Sequence, residues 1–360
     1  MAGQILYENG VAIDANQQFG VVETKPGVYQ GKKPLTKITS NAVGCYGGNI
    51  CGQALVVAIE TAKSGFKPHS VHGYFVSPVF DTLVIEWHVE KISDGSNFCN
   101  RKVRGYQNGI LKYIALVSLT KRNSNRIAQK AYDDYHKKLA EKKAQKSANK
   151  GGNSDNNNDS NVNNDADDDD DDDDDDDGPQ KPFGFQTPYN DVFKKNPVNQ
   201  IKLDPRGVDI LCFHKIPQTN QSARLPVTQK SLSWYARWGI NEQNLNYQLK
   251  NVDEKFQAFG LSVIAESLFI TRLSNSLVID DKNLSAQANY WAGTLDHIIY
   301  FHDDDFDTTQ WMGVSTKPLR FVNKRAICEA EIYNSNGVHV ATCFQEAIIH
   351  LDRIADNAKL

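Results

Sequence analysis

The sequence predicts an α+β protein of two tandem repeats, each a long helix wrapped by a curved antiparallel sheet. Three observations carry this expectation. One pattern of strands occurs twice, an almost wholly apolar helix precedes each occurrence, and a charge-biased segment separates the two.

The first strand set reads VHGYFVSPVFDTLVIEWHVEKISDGSNFCNRKVRGYQNGILKYIALVSL. The second reads DHIIYFHDDDFDTTQWMGVSTKPLRFVNKRAICEAEIYNSNGVHVATCFQEAIIHL. Each begins with a histidine, His72 or His297, ahead of an aromatic-rich strand. An Asp-Thr pair follows nine or ten residues later (Asp81-Thr82, Asp307-Thr308). A basic strand start comes next (Arg101-Lys102, Lys324-Arg325), then an Asn-Gly turn whose glycine lies 37 or 40 residues after the histidine. Asn108-Gly109 and Asn336-Gly337 both fit a type I′ hairpin, whose two central residues need positive φ. Upstream, residues 47–62 (GGNICGQALVVAIETA) and 255–270 (KFQAFGLSVIAESLFI) read as helices without a polar face. Such a helix must be covered on most sides, and a sheet curled around it supplies the cover. The expected organisation is therefore a first repeat over 1–120, a linker over 121–198, a second repeat over 199–355 and a tail over 356–360.

The linker differs in kind. It opens as a basic stretch, RIAQKAYDDYHKKLAEKKAQK, suited to a solvated helix. It continues as an Asn/Asp-rich tract ending in eleven aspartates, Asp167–Asp177, which lacks the apolar surface to offset ordering entropy and is expected to be disordered. Those aspartates dominate the formal net charge of −4. Without them 40 basic residues face 33 acidic ones (44 less the 11), and ten of the basic residues lie between Lys121 and Lys150. The repeats are thus close to neutral, which argues against a nucleic-acid-binding surface. Six scattered cysteines without CxxC spacing, no signal-peptide core and no apolar run near 18 residues predict a soluble, reduced, intracellular protein without a membrane span, metal or disulfide.

Departures from the repeat single out chemistry. In VHVATCFQEAII, the face carrying Ala341, Cys343, Ala347 and Ile349 also carries Gln345, where the first repeat has Val117. A buried amide must find partners or costs about 1–3 kcal/mol. Glu266 sits among apolar residues on the second helix, where desolvation would raise its pKa toward the range of a general base. Thr294 stands at the start of a strand and, counted from the histidines, matches His69 of the first repeat. A carboxylate, a hydroxyl and a carboxamide can hold one water and deprotonate it as it attacks a carbonyl, an effect worth about 10²–10⁴-fold. Asp296 is a rival base. His297 has a counterpart in His72, so repeat geometry accounts for it. GxSxG, HExxH, P-loop and GxGxxG patterns are absent from the sequence.

The pieces VYQGK, YGGNICGQALVVA, VHGYFVSP, DGSNFCNRKVRGYQNG, LDHIIYFH and NGVHVATCFQEAII resemble the acyl-CoA thioesterase II family, the double-hotdog thioesterases, over about 20–120 and 200–352. The resemblance implies a hotdog fold in each half, hydrolysis of fatty acyl-CoA to free fatty acid and CoA, and no cofactor. It implies a catalytic set of Glu266, Thr294 and Gln345. The family usually has Asp at the helix position, and a register shift of one residue would place Ser267 there. Two other readings remain: a non-catalytic acyl-CoA-binding hotdog protein, and a hotdog enoyl-CoA hydratase or dehydratase. Ala358-Lys359-Leu360 resembles the small-basic-Leu peroxisomal address, which implies a peroxisomal import receptor as partner. A fused pair can stay monomeric or assemble further as a homo-oligomer.

Overall fold

The structure, a computed structural model, describes residues 13–38, 42–121, 124–150, 178–202, 212–217, 225–242, 245–247, 249–269 and 292–350. The expectations for the Asn/Asp-rich tract and for Ala358-Lys359-Leu360 fall outside them. The chain divides into two compact units. The smaller, Ser124–Phe185, holds the helix Asn125–Lys150, polar along its length as its basic composition predicts. The larger unit carries the repeats.

Twelve strands form one antiparallel sheet in the larger unit. In the first half they are β1 (Val21–Lys25), β2 (Val28–Gly31), β3 (Lys67–Phe75), β4 (Glu86–Asp94), β5 (Phe98–Gln107) and β6 (Ile110–Thr120). In the second they are β7 (Cys212–Lys215), β8 (Leu232–Trp238), β9 (Ala292–Phe301), β10 (Met312–Val322), β11 (Arg325–Tyr333) and β12 (His339–Ile349). Their spatial order is β1-β2-β4-β5-β6-β3-β9-β12-β11-β10-β8-β7. Read outward from the β3–β9 seam, the second half repeats the first strand for strand. At that seam Val71 lies opposite Ile299 and Gly73 opposite His297.

Two helices, α1 (Gly47–Glu60) and α2 (Glu254–Glu266), fill the inner side of the sheet. Both end earlier than their apolar runs predict. The Thr61 hydroxyl donates to Ala58 O (2.8 Å) at the end of α1. At the end of α2 the Ser267 hydroxyl donates to Ile264 O (2.7 Å), and Leu268 at φ 57° turns the chain out of the helix. The helices lie antiparallel against each other. The start of α1 meets the end of α2, where the Tyr46 hydroxyl donates to Val263 O (2.8 Å), and Lys255 at the start of α2 reaches Glu60 (2.6 Å). Gly52 makes the close approach possible, because a Cβ there would lie 2.7 Å from the Phe259 ring. This mutual cover is why neither helix needs a polar face: every residue from Gly48 to Ala58 is buried, as is every residue of α2 from Ala258 to Glu266.

The turns depart from expectation on one side. Asn108 (φ 51°) and Gly109 (φ 73°) form the type I′ turn foreseen between β5 and β6. Asn336-Gly337 does not form one, since of the pair only Gly337 takes positive φ. There Gly337 N donates to Asn334 O (3.0 Å) and Asn334 N to Val338 O (2.9 Å), a longer loop that the Asn334 side chain closes by accepting from Asn336 N and Val338 N. The two-residue I′ turn of the second half is Asn323-Lys324, at φ 50° and 62°. Lys324 is therefore a turn residue and β11 starts at Arg325. Arg101, also foreseen at a strand start, is buried and satisfied by Thr61 O, Ser93 O and Asp94. Among the described residues no helix is long and apolar enough to cross a membrane.

Candidate active site

Strand β9 holds the feature that assembles the site. Its pairing with β12 slips by one residue between Thr294, opposite Ala347, and Asp296, opposite Glu346. In an unbroken strand Thr294 and His297, three apart, would face opposite sides. The bulge turns both inward, toward the helices, and leaves Asp296 outside. Asp296 then accepts a hydrogen bond from Glu346 N (3.1 Å), so it stabilises the bulge from the outer face. The structure thereby removes Asp296 as a rival base.

The three residues singled out in the sequence meet on the inner side. The Thr294 hydroxyl donates to Glu266 Oε1 at 2.7 Å. Gln345 Nε2 donates to Thr294 Oγ1 at 3.0 Å and, more distantly, to Glu266 Oε1 at 3.4 Å. Gln345 is 4% exposed and Glu266 9%. Taking a carboxylate this far from water costs several kcal/mol, and hydrogen bonds to the ionised group, worth roughly 1.5–3 kcal/mol each, offset part of it. A second offset comes from α1. A Cβ on Gly47 would lie 2.4 Å from either Glu266 oxygen, so the carboxylate rests against the first residue of that helix. The N–H groups of a first helical turn have no intrahelical acceptor and form the positive end of the helix dipole, which favours an anion there. Ser267, the residue one register away, is committed elsewhere: its hydroxyl bonds Ile264 O and accepts from Trp234 Nε1.

Two neighbours of these three escape the sequence reading. Gly47 is one, because the contact between α1 and Glu266 is long-range. His297 is the other. β3 carries the same bulge as β9, with Pro68 opposite Leu119 and Ser70 opposite Ser118. Matching the two bulges makes Pro68, not His69, the counterpart of Thr294, and makes Val71, not His72, the counterpart of His297. The histidine anchors were one residue out of register. The aromatic pairs Tyr74-Phe75 and Tyr300-Phe301 give the right alignment. His297 is therefore a fourth polar residue peculiar to the second half, lying opposite Gln345 on the inner face. It is fully buried, and neither ring nitrogen has a hydrogen-bond partner among the described residues. Burial alone holds its pKa down at about 4. In the first half Pro68 and Val117 stand at the positions of the hydroxyl and the amide, so the described residues of that half lack the corresponding pair.

Among the described residues no cluster of three His, Cys, Asp or Glu is placed to hold a metal ion. The site is an acid, an alcohol and an amide on a helix seam inside a double-hotdog protein. The fold is shared with a crystal structure of an acyl-CoA thioesterase II, TesB2, from Mycobacterium marinum: TM-score 0.59, 15% identity, covering 93% of this chain and 96% of that one. It is shared also with a hot dog fold protein from Alicyclobacillus acidocaldarius: TM-score 0.55, 12% identity, covering 93% and 97%.

The chain belongs to the acyl-CoA thioesterase family. The family models for the acyl-CoA thioesterase N-terminal and C-terminal domains match residues 37–120 and 226–349, together more than half of the sequence. Similar curated proteins include peroxisomal acyl-coenzyme A thioester hydrolase 1 of Saccharomyces cerevisiae, 30% identical over 74 residues, and acyl-coenzyme A thioesterase 8 of Mus musculus, 37% identical over 73. These matches span about a fifth of this chain and 21% and 23% of the two relatives.

The buried imidazole has a pH consequence. The folded protein keeps His297 neutral down to about pH 4, whereas the unfolded chain takes up the proton near pH 6.5. Between those values the unfolded state holds more protons, so the histidine's effect is to lower stability as pH falls from about 6.5 to 4. Unfolding by urea at pH 7 and at pH 4.5 should show wild type losing roughly 2–3 kcal/mol more than His297→Leu over that interval. Parallel losses in the two proteins would mean that His297 is protonated in the folded state.

Proposed function

We propose that this protein hydrolyses fatty acyl-CoA thioesters, with Glu266 as general base and Thr294 and Gln345 holding the attacking water. The convergence of the three side chains within hydrogen-bond distance carries the reading, and membership of the acyl-CoA thioesterase family supports it. Water takes a place beside the hydroxyl and the amide, and Glu266 removes its proton as its oxygen bonds to the thioester carbonyl carbon. The negative charge that develops on the carbonyl oxygen is met by N–H groups at the start of α1, beside Gly47. When the tetrahedral intermediate collapses the C–S bond breaks, the proton on Glu266 passes to the departing CoA sulfur, and the acid leaves with the oxygen of water.

Glutamate stands where the family usually has aspartate. Its extra methylene suits the arrangement seen, because Gly47 leaves room for the carboxylate against the helix start. A proline and a valine at the corresponding positions of the first half favour one site per chain.

We also propose that the protein acts in peroxisomes, brought there by an import receptor that reads Ala358-Lys359-Leu360. The tripeptide's chemistry and the name of the yeast relative support this. A fluorescent protein fused ahead of the full chain should co-localise with a peroxisomal marker and disperse on deletion of the tripeptide. Co-localisation that survives the deletion would place the address elsewhere.

Release of free thiol from long-chain acyl-CoA tests the activity. Glu266→Gln and Gln345→Ala should each lower kcat by about 10²-fold or more with an unchanged circular dichroism spectrum. Undiminished turnover in both variants would remove these residues from the chemistry. Tight acyl-CoA binding by the wild type without thiol release would instead favour a carrier.

A further inference from the structure

The two halves differ at one more place, near the surface beside the start of α1. Tyr113 lies opposite Phe75 and Ala341 opposite Phe301, so Lys112 on β6 corresponds to Val340 on β12. The backbone around them agrees. Lys112 O accepts from Val76 N (2.9 Å) and Ser77 N (3.3 Å), and Val340 O accepts from His302 N (2.8 Å) and Asp303 N (3.4 Å). Both side chains are buried: Val340 is fully enclosed and Lys112 is 5% exposed. One half thus holds a lysine in a slot that the other half fills with valine.

This lysine lacks what normally accompanies a buried charge. Among the described residues its ammonium has neither a carboxylate nor a hydrogen-bond acceptor, and its recorded contact is the Phe80 ring, 4.7 Å from Nζ to the centroid. The nearby Asp81 is taken by Lys37 (3.4 Å). Arg101, equally buried on β5, has Asp94. An ammonium withdrawn from water without a counter-charge is costly, and a cation–π contact offsets only part of the cost.

Lys112 also stands at the right end of the sheet. Asp296 lies opposite Tyr74, and Tyr74 opposite Ile114. Two residues further along, Thr294 and Lys112 occupy the same end with β3 between them, roughly 10 Å apart at the usual strand spacing. The segment 76–80 that covers Lys112 is tied to the approach to α1, because Cys45 N donates to Val79 O (2.7 Å). Val43, Val76 and Phe80 are exposed there. The matching surface beside the start of α2 has Pro68 where the candidate site has Thr294, and there the slot holds Val340. The lysine accompanies the chemistry.

We propose that Lys112 binds a phosphate of the CoA moiety. The proposal rests on the hydrolase reading above. With the thioester carbonyl between Glu266 and Thr294, the phosphates of the leaving group stay toward water. The pantetheine arm that joins them to the sulfur is long enough to pass over Val76 and Phe80 to the ammonium. A phosphate supplies the counter-charge that the slot lacks, and lysine serves phosphate as a point charge. The exposed Val43, Val76 and Phe80 give the apolar part of the arm a surface to rest on.

Steady-state hydrolysis of one long-chain acyl group, carried on CoA and on pantetheine without phosphates, tests this. Wild type should prefer the CoA thioester. Lys112→Met should cut that preference, the ratio of the two kcat/KM values, by about tenfold, with the loss in KM for acyl-CoA. Lys112→Arg, which keeps the charge, should retain the preference. The slot accepts valine in the other half, so the methionine variant should keep its circular dichroism spectrum. A lysine needed only for structure would lower both kcat/KM values together, and an unchanged ratio would overturn the proposal. If wild type cleaves neither thioester, the hydrolase reading fails and calorimetry with free CoA decides. Binding about tenfold weaker in Lys112→Met supports the phosphate site, and equal or absent binding overturns it.

Discussion

The bulge between Thr294 and Asp296 is the constraint on which the site depends. A strand of strict period two cannot turn both Thr294 and His297 inward, and it cannot place a hydroxyl beside Gln345 while keeping Asp296 available to Glu346 N on the other side. One extra residue does both. Because β3 carries the corresponding bulge, the backbone device belongs to the fold and the chemistry belongs to the side chains placed on it: Thr294 in one half, Pro68 in the other. The same scaffold thus presents a polar site once and an apolar position once.

The second support is the antiparallel helix pair. It brings the start of α1, from the first half, against the end of α2, from the second. A carboxylate at the end of its own helix would be disfavoured by that helix's dipole, whose negative pole is there. Glu266 is nevertheless buried at that place because the opposite pole of α1 and two hydrogen-bond donors lie beside it. The site therefore needs both halves of the chain although all three polar side chains come from one. The glycine at position 47 is part of this arrangement, since any side chain there would displace the carboxylate.

Much of this was legible in the sequence, and the failures have physical causes. The twofold strand pattern, the two apolar helices and the three polar intruders were visible because each breaks or obeys a short-range periodicity. Gln345 stood out because alternation along β12 fixes its face, and Glu266 because α2 offers no other charge near it. Register across strands was harder. Counting from the histidines paired His297 with His72, hid the Val71 counterpart and so dismissed a buried imidazole. The turn at Asn336-Gly337 misled for a similar reason: the dipeptide suits a type I′ turn, but the Asn334 side chain stabilises a longer loop and the two-residue turn moved to Asn323-Lys324. The role of Gly47 was out of reach, because its partner lies far away in sequence and on the other repeat.

The central claim is that Glu266 acts as a base on water and does not itself attack the thioester. A single turnover in ¹⁸O-labelled water, with enzyme in excess over acyl-CoA, separates attack by water from an anhydride opened at its glutamyl carbon. Attack by water puts one ¹⁸O into the released fatty acid and none into the protein. If the carboxylate attacked instead, forming an anhydride opened by water at its glutamyl carbon, the first turnover would leave the label in the peptide containing Glu266 and an unlabelled fatty acid. The account predicts the first result, and label in Glu266 would contradict it.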